Sequence, residues 1–350
     1  MFAFDKAILK MLHYSGAASM LAPWLRGQGV IFMLHHVLPG VGKSSKFAPN
    51  AGLEVSPDFL EEVIQVVKSH GYTLISLEEA AEQLAKGNTN TKFAAFTLDD
   101  GYRDNFQYAW PIFRKYSCPF TVFVAPAIAD GTCELWWKAL EILISDADEI
   151  DVMLKGVRYS GSIKTDALKQ IMYDRIYWPL RMCPEDEQRD WIRDVSAAHS
   201  IDLNALCRAQ AMTWDEIRKM NNDPLCSIGA HTVNHCAMKK LEAEAALDEA
   251  VMSRDRIAAE IGQVPQTFAF PYGDETSAGP RDFELIKAAG FKAAVTTRKG
   301  MIFPSHKDSL TALPRFSLNG GYQERVFTEV LLTGMPFAFF NGLQRFTAIS

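Results

Sequence analysis

Two adjacent carboxylates, Asp99 and Asp100, close the apolar run Phe93-Ala-Ala-Phe-Thr-Leu98 and precede Gly101. Like charges that close cannot both be comfortable in a dry place. A metal ion removes the conflict, because one carboxylate can bind it while the other stays a base. The second signal is Gly229-Ala-His231-Thr-Val-Asn-His235, directly after the apolar segment Leu225–Ile228. Histidines at i and i+4 are expected on one helix face, where both can reach one ion. Two imidazoles and one carboxylate, with positions left for water, suit catalytic zinc or a related first-row metal.

Weaker signals share this placement. Pro271 and Gly273 flank Tyr272 and fix its backbone, so its N–H could meet an oxyanion. Either histidine of His35-His36 could be a general acid. Arg315, in Leu313-Pro314-Arg315, could pair with a carboxylate at the same mouth.

The elements that must position these residues read as short apolar strands alternating with amphipathic helices. Strands are expected at about 30–34, 72–75, 92–98, 120–124, 225–228, 266–270, 292–296 and 312–316. Such alternation means parallel βαβ units. About seven strands fit a closed or nearly closed (β/α) barrel, and every residue of chemical interest falls at a strand's C-terminal end. Residues 131–212 break the alternation and read as a helical insertion. Its aromatics Trp136, Trp137, Tyr173, Tyr177 and Trp178 are expected to form the insertion's own core.

The order of motifs resembles the polysaccharide deacetylases with a NodB-homology domain, carbohydrate esterase family 4. Thr97–Gly101, His231-Thr232-x-x-His235 and Phe268–Gly273 are similar to its first three motifs. Met33-Leu-His-His-Val37, Leu53–Phe59 and Leu313–Arg315 are similar to its circularly permuted subgroup. The resemblance covers about residues 30–130 and 212–318. It implies a distorted (β/α)7-type barrel, NodB-like and related to the TIM barrel. It implies Asp99 as base, Asp100, His231 and His235 as metal ligands, His35 as acid, and His36 in a supporting place. The cofactor implied is a divalent metal, Zn2+ before Co2+ or Ni2+. The reaction implied is removal of N-acetyl groups from an amino-sugar oligo- or polysaccharide such as a chitooligosaccharide. The alternatives are a deformylase or deacetylase of a lipid-linked aminosugar, and a non-catalytic carbohydrate binder. Leu98 stands where an aromatic is usual, and Gln266-Thr267 where an arginine is usual; Arg315 is the candidate replacement.

The 350 residues divide into an amphipathic segment at 1–29, the barrel at 30–321 and an apolar tail at 322–350. Net charge is −6, which gives no footprint for nucleic acid. No apolar run reaches the ~18 residues needed to span a bilayer. Six cysteines without a C-x-x-C pair read as reduced thiols. Phe4, Ile8, Met11 and Leu12 recur at helical spacing, and that face is expected to pack on the domain. Peripheral membrane contact is the lesser expectation, and the expected location is the cytoplasm or the inner membrane face.

Overall fold

Continuous apolar runs become strands buried on both faces, as parallel sheets require. The computed structural model describes residues 5–41, 47–88 and 91–340. Its principal strands are β1 (Gly29–Leu34), β2 (Phe93–Leu98), β3 (Phe120–Val124), β4 (Cys226–Ala230), β5 (Thr267–Ala269), β6 (Ala293–Lys299) and β7 (Leu313–Ser317). All pair in parallel, in the order β1, β7, β6, β5, β4, β3, β2. β2 then pairs back onto β1 from Gly29 opposite Phe93 to Leu34 opposite Leu98, which closes a seven-stranded barrel. The fold is therefore the (β/α)7 barrel expected from the motif order. The short strand Thr73–Leu74 lies outside the ring, on β2.

Alternation divides the side chains between two cores. Ile31, Ala95, Phe123, Ala269, Val295 and Leu313 form one cluster inside the ring. Phe32, Phe96, Leu98, Val122 and Phe268 join the cluster under the helices. Gly229 is required at its place: a Cβ there would come 2.4 Å from the Phe123 ring.

Two helices precede the barrel, α1 (Lys6–Tyr14) and α2 (Ala17–Leu25). Asp5 caps α1 by accepting from the amides of Ala7 and Ile8. The helix forms as expected, but its packing face differs. Leu9 is buried and Leu12 packs against the core, whereas Ile8 and Met11 are 52% and 61% exposed. Spacing alone did not fix the inward face, because apolar residues occur nearly all round α1. Phe4 lies outside the described residues.

Residues 131–212 are not wholly helical. They contain α3 (Trp136–Ser145), α4 (Asp166–Met182), α5 (Glu185–Ala198) and the helix Leu203–Gln210. Between α3 and α4 lies an antiparallel hairpin, Glu149–Leu154 with Val157–Ser162. Its cause is legible: Ile150, Val152 and Leu154 alternate with polar or exposed residues, and Lys155-Gly156 turns with both φ values positive. After the barrel comes α6 (Arg325–Leu332), then Met335–Phe340. No described helix is long and apolar enough to cross a membrane.

Candidate metal and catalytic centre

Phe93, Ala95 and Thr97 share the inward parity of β2, and Asp99 continues it. Asp100 breaks it. Its φ of +71°, followed by +71° at Gly101, departs from the extended backbone and removes it from the outward parity. Non-glycine residues avoid this left-handed region at a cost of roughly 1–2 kcal/mol. Thr232 (φ +54°), His235 (+57°) and Tyr272 (+61°) adopt it too. Four of the seven such residues described thus lie in loops at one end of the barrel, a concentration of backbone strain typical of functional sites.

Asp100, His231 and His235 are buried, and one donor atom from each lies within 4.8 Å of the others. His231 Nδ1 lies 2.7 Å from the Ala269 carbonyl oxygen. A carbonyl only accepts, so Nδ1 carries a proton and Nε2 is the nitrogen turned inward. That Nε2 faces Asp100 Oδ1 at 3.2 Å. His235 Nε2 approaches the same oxygen at 3.1 Å. Asp100 Oδ1 has no hydrogen-bond donor. Ligand-type atoms converging on one buried point, with the second nitrogen of His231 held by a carbonyl, fit a divalent cation.

The two histidines do not share a helix face. His231–His235 is a loop, because positive φ at Thr232 and His235 is incompatible with a right-handed helix. The loop is held from outside. Glu249 accepts from the amides of Val233 and Asn234, and Thr232 Oγ1 from the amide of Cys236.

Arg315 follows Leu313 on the inward parity of β7 and is fully buried inside the barrel. It donates to both oxygens of Asp99, Nη1 to Oδ1 at 2.7 Å and Nη2 to Oδ2 at 2.6 Å. It also donates to Thr97 Oγ1 and the Thr296 carbonyl. Burial pushes the Asp99 carboxyl up, but the Arg315 charge and hydrogen bonds prevail and hold it below the usual range. His35 Nε2 lies 3.9 Å from Asp99 Oδ2. Burial lowers the His35 pKa, against the opposing pull of Asp100 and Asp99. His36 is turned elsewhere: Nδ1 meets Asp104 Oδ2 at 2.7 Å and the ring stacks on Tyr102.

Tyr272 is fixed by its neighbours. Its carbonyl accepts from Thr297 Oγ1 at 2.5 Å. Gly273, at φ +60°, would place a Cβ 2.6 Å from the Thr297 nitrogen. The Tyr272 phenol accepts from Trp136 Nε1 at 2.8 Å, and the Arg181 guanidinium lies 3.7 Å over its ring. Its backbone N–H has no acceptor among the described residues.

The insertion contributes more than its own core. Trp136 and Trp137 belong to that core, yet the Trp137 ring lies 5.0 Å from that of His235. Glu185, at the start of α5, accepts from the Ala237 amide and so ties the insertion to the histidine loop. Sequence reasoning did not single out Glu185 or Arg181; nothing in local spacing marks a contact made across the fold.

Residues 191–294 match the family model described as polysaccharide deacetylase. A 73-residue stretch is 32% identical to YxkH of Bacillus subtilis (strain 168), carried under the same family name; it covers 21% of this chain and 26% of that protein. In fold, the chain is similar to the Streptococcus pyogenes deacetylase PplD, solved with acetate: TM-score 0.55, 17% identity, 88% of this chain and 97% of that one. It is similar to IcaB from Ammonifex degensii, with TM-score 0.54, 17% identity and coverage of 87% and 97%. A de-N-acetylase from Aggregatibacter actinomycetemcomitans gives TM-score 0.54, 14% identity and coverage of 86% and 99%. Residues 191–294 thus carry the match to the polysaccharide deacetylase family model, and the seven-stranded barrel that contains them is the fold of solved deacetylases.

Proposed function

We propose that the protein is a metal-dependent carbohydrate N-deacetylase, which hydrolyses the acetamido group of an amino-sugar oligo- or polysaccharide. One observation carries the reading: Asp100, His231 and His235 converge at the barrel mouth where Asp99 and His35 also meet. Asp100, His231 and His235 would hold the divalent cation, with zinc the best match to the donor set. When bound, it supplies Lewis acidity towards the amide carbonyl and the attacking water.

The chain's own groups do the rest. Asp99 accepts the proton of the attacking water. Its ion pair with Arg315 keeps it charged at neutral pH and aims both oxygens. The Tyr272 N–H donates to the oxygen that becomes negative as the carbonyl turns tetrahedral. His35 protonates the departing nitrogen, without which an amine anion would have to leave. Burial disfavours the imidazolium, so the acid form depends on the neighbouring carboxylate charges. His36 and Asp104 form a buried pair behind the site and support the backbone of Val37.

The test is acetate release from a panel of N-acetylated chitooligosaccharides, surface polysaccharides and lipid-linked sugars, with and without added zinc. Formate released from an N-formylated lipid-linked sugar, and no acetate, would select the deformylase instead. No release from any substrate and no stoichiometric metal would leave only a binding role.

A further inference from the structure

The two helices before the barrel carry an outer face that nothing described covers. Ile8, Met11 and Tyr14 lie along one side of α1, opposite buried Leu9. Met20 and Trp24, at i and i+4 on α2, are 69% and 64% exposed. Among the described residues, one-third of the large exposed apolar side chains thus fall between residues 8 and 24. Phe339, in the short helix packed near α2, is exposed as well. Charge is distributed unevenly too. The chain as a whole is acidic, at −6, but residues 1–26 hold Lys6, Lys10 and Arg26 against Asp5 alone.

On its other side α2 lines a pocket of about 300 Å³, with Arg26, Lys92, His13 and His70 in its wall. Glu329 is the acid among the described lining residues. It is already engaged, 2.7 Å from Arg325 Nε and 3.6 Å from His13 Nε2. No described carboxylate lies within 4.0 Å of Arg26 or Lys92. Lys92 Nζ donates to the His70 carbonyl and sits over the Tyr72 ring. Burial, then the charge of Arg26, holds its pKa below the usual value. Two cations facing one pocket, neither paired with a described carboxylate, want an anion, as two carboxylates want a cation.

We propose that α1 and α2 rest on a membrane surface of anionic phospholipid, with a headgroup phosphate seated between Arg26 and Lys92. An interfacial helix buries its apolar face about 5–10 Å into the headgroup boundary. Lipid phosphates then stand beside it, level with a pocket on its protein side. Trp24 suits that depth, with an apolar body and one polar N–H. The pocket lies at the start of β2 and the catalytic mouth at its end, about 20 Å away by strand length. The mouth therefore points away from the bilayer and stays open to a long substrate.

The test is flotation of the full chain with vesicles of phosphatidylcholine, alone or mixed with phosphatidylglycerol. The expected result is retention on the mixed vesicles only. Arg26→Gln and Lys92→Gln should each weaken it about fivefold. The double variant Met20→Ser/Trp24→Ser should weaken it by about tenfold or more. All four positions are exposed or half-buried, and circular dichroism checks that each variant is folded. No retention on anionic vesicles overturns the proposal, as does retention unchanged in Arg26→Gln and in the double variant. Binding of inorganic phosphate without vesicle binding also overturns it. So does a dimer in solution, by light scattering, that the double variant dissolves, because a second copy would then be the occupant.

Discussion

Arg315 and Asp99 form a two-pronged ion pair inside the barrel, both side chains sealed from solvent and each guanidinium nitrogen on its own carboxylate oxygen. Breaking such a pair from one side leaves an unpaired buried charge, at a cost of about 3–5 kcal/mol. Arg315→Met should therefore destabilise the fold by that order in urea unfolding. Arg315→Lys should cost less in stability but still lower kcat, since an ammonium is a point charge and cannot hold both oxygens in plane.

The same pair predicts a pH dependence. The folded pKa of Asp99 lies below its unfolded value of about 4. The pair therefore adds stability above about pH 4 and loses it as pH falls through the folded value. The stability gap between the wild type and Asp99→Asn should be constant from pH 5 to 8 and shrink in more acidic solution. A gap that widened on acidification would show that Asp99 is not held ionised by Arg315.

Metal and base can be separated by substitution. Asp99→Asn should keep stoichiometric zinc while turnover falls about 10²–10⁴-fold. His231→Ala should lose both. Added zinc should raise the melting temperature of the wild type and of Asp99→Asn, with about 2.7 kcal/mol of stabilisation at a hundred times Kd. It should leave His231→Ala unmoved. Near-full turnover in Asp99→Asn would remove the base assignment.

Gly273→Ala probes the loop under the Tyr272 amide. The added Cβ meets the Thr297 nitrogen at 2.6 Å, and φ is +60°. Relieving that contact must shift the Tyr272 peptide. We expect a loss of about 1–3 kcal/mol in stability and a drop in kcat with KM little changed, because the N–H matters most once the oxyanion has formed.

Much of this was legible from local residues. The Asp99-Asp100 pair, the His231 and His235 spacing and the apolar runs that precede them are contiguous signals, and continuous burial of a parallel strand writes itself as an apolar run. What could not be read depended on the third dimension. The His231–His235 segment looked helical by spacing, but positive φ at two residues makes it a loop, and only contacts from Glu249 explain why it holds. The inward face of α1 was misjudged because apolar side chains lie on both faces. The hairpin at 149–162 was missed although its alternation was visible; the helix formers around it dominated the reading. Trp137 beside His235 and Glu185 behind the loop arise from how an insertion folds over a barrel, which no motif spacing encodes.

Asp99 and Arg315 are separated by 216 positions in the chain. A growing polypeptide makes the aspartate early and must wait for the last barrel strand before its partner exists. Until β7 arrives, β1 and β2 can pair, but the interior has an open seam and the carboxylate stays hydrated. Ring closure and charge neutralisation then occur in one late event. Long-range pairing of this kind is slow, so the last strand of the barrel acts as its latch.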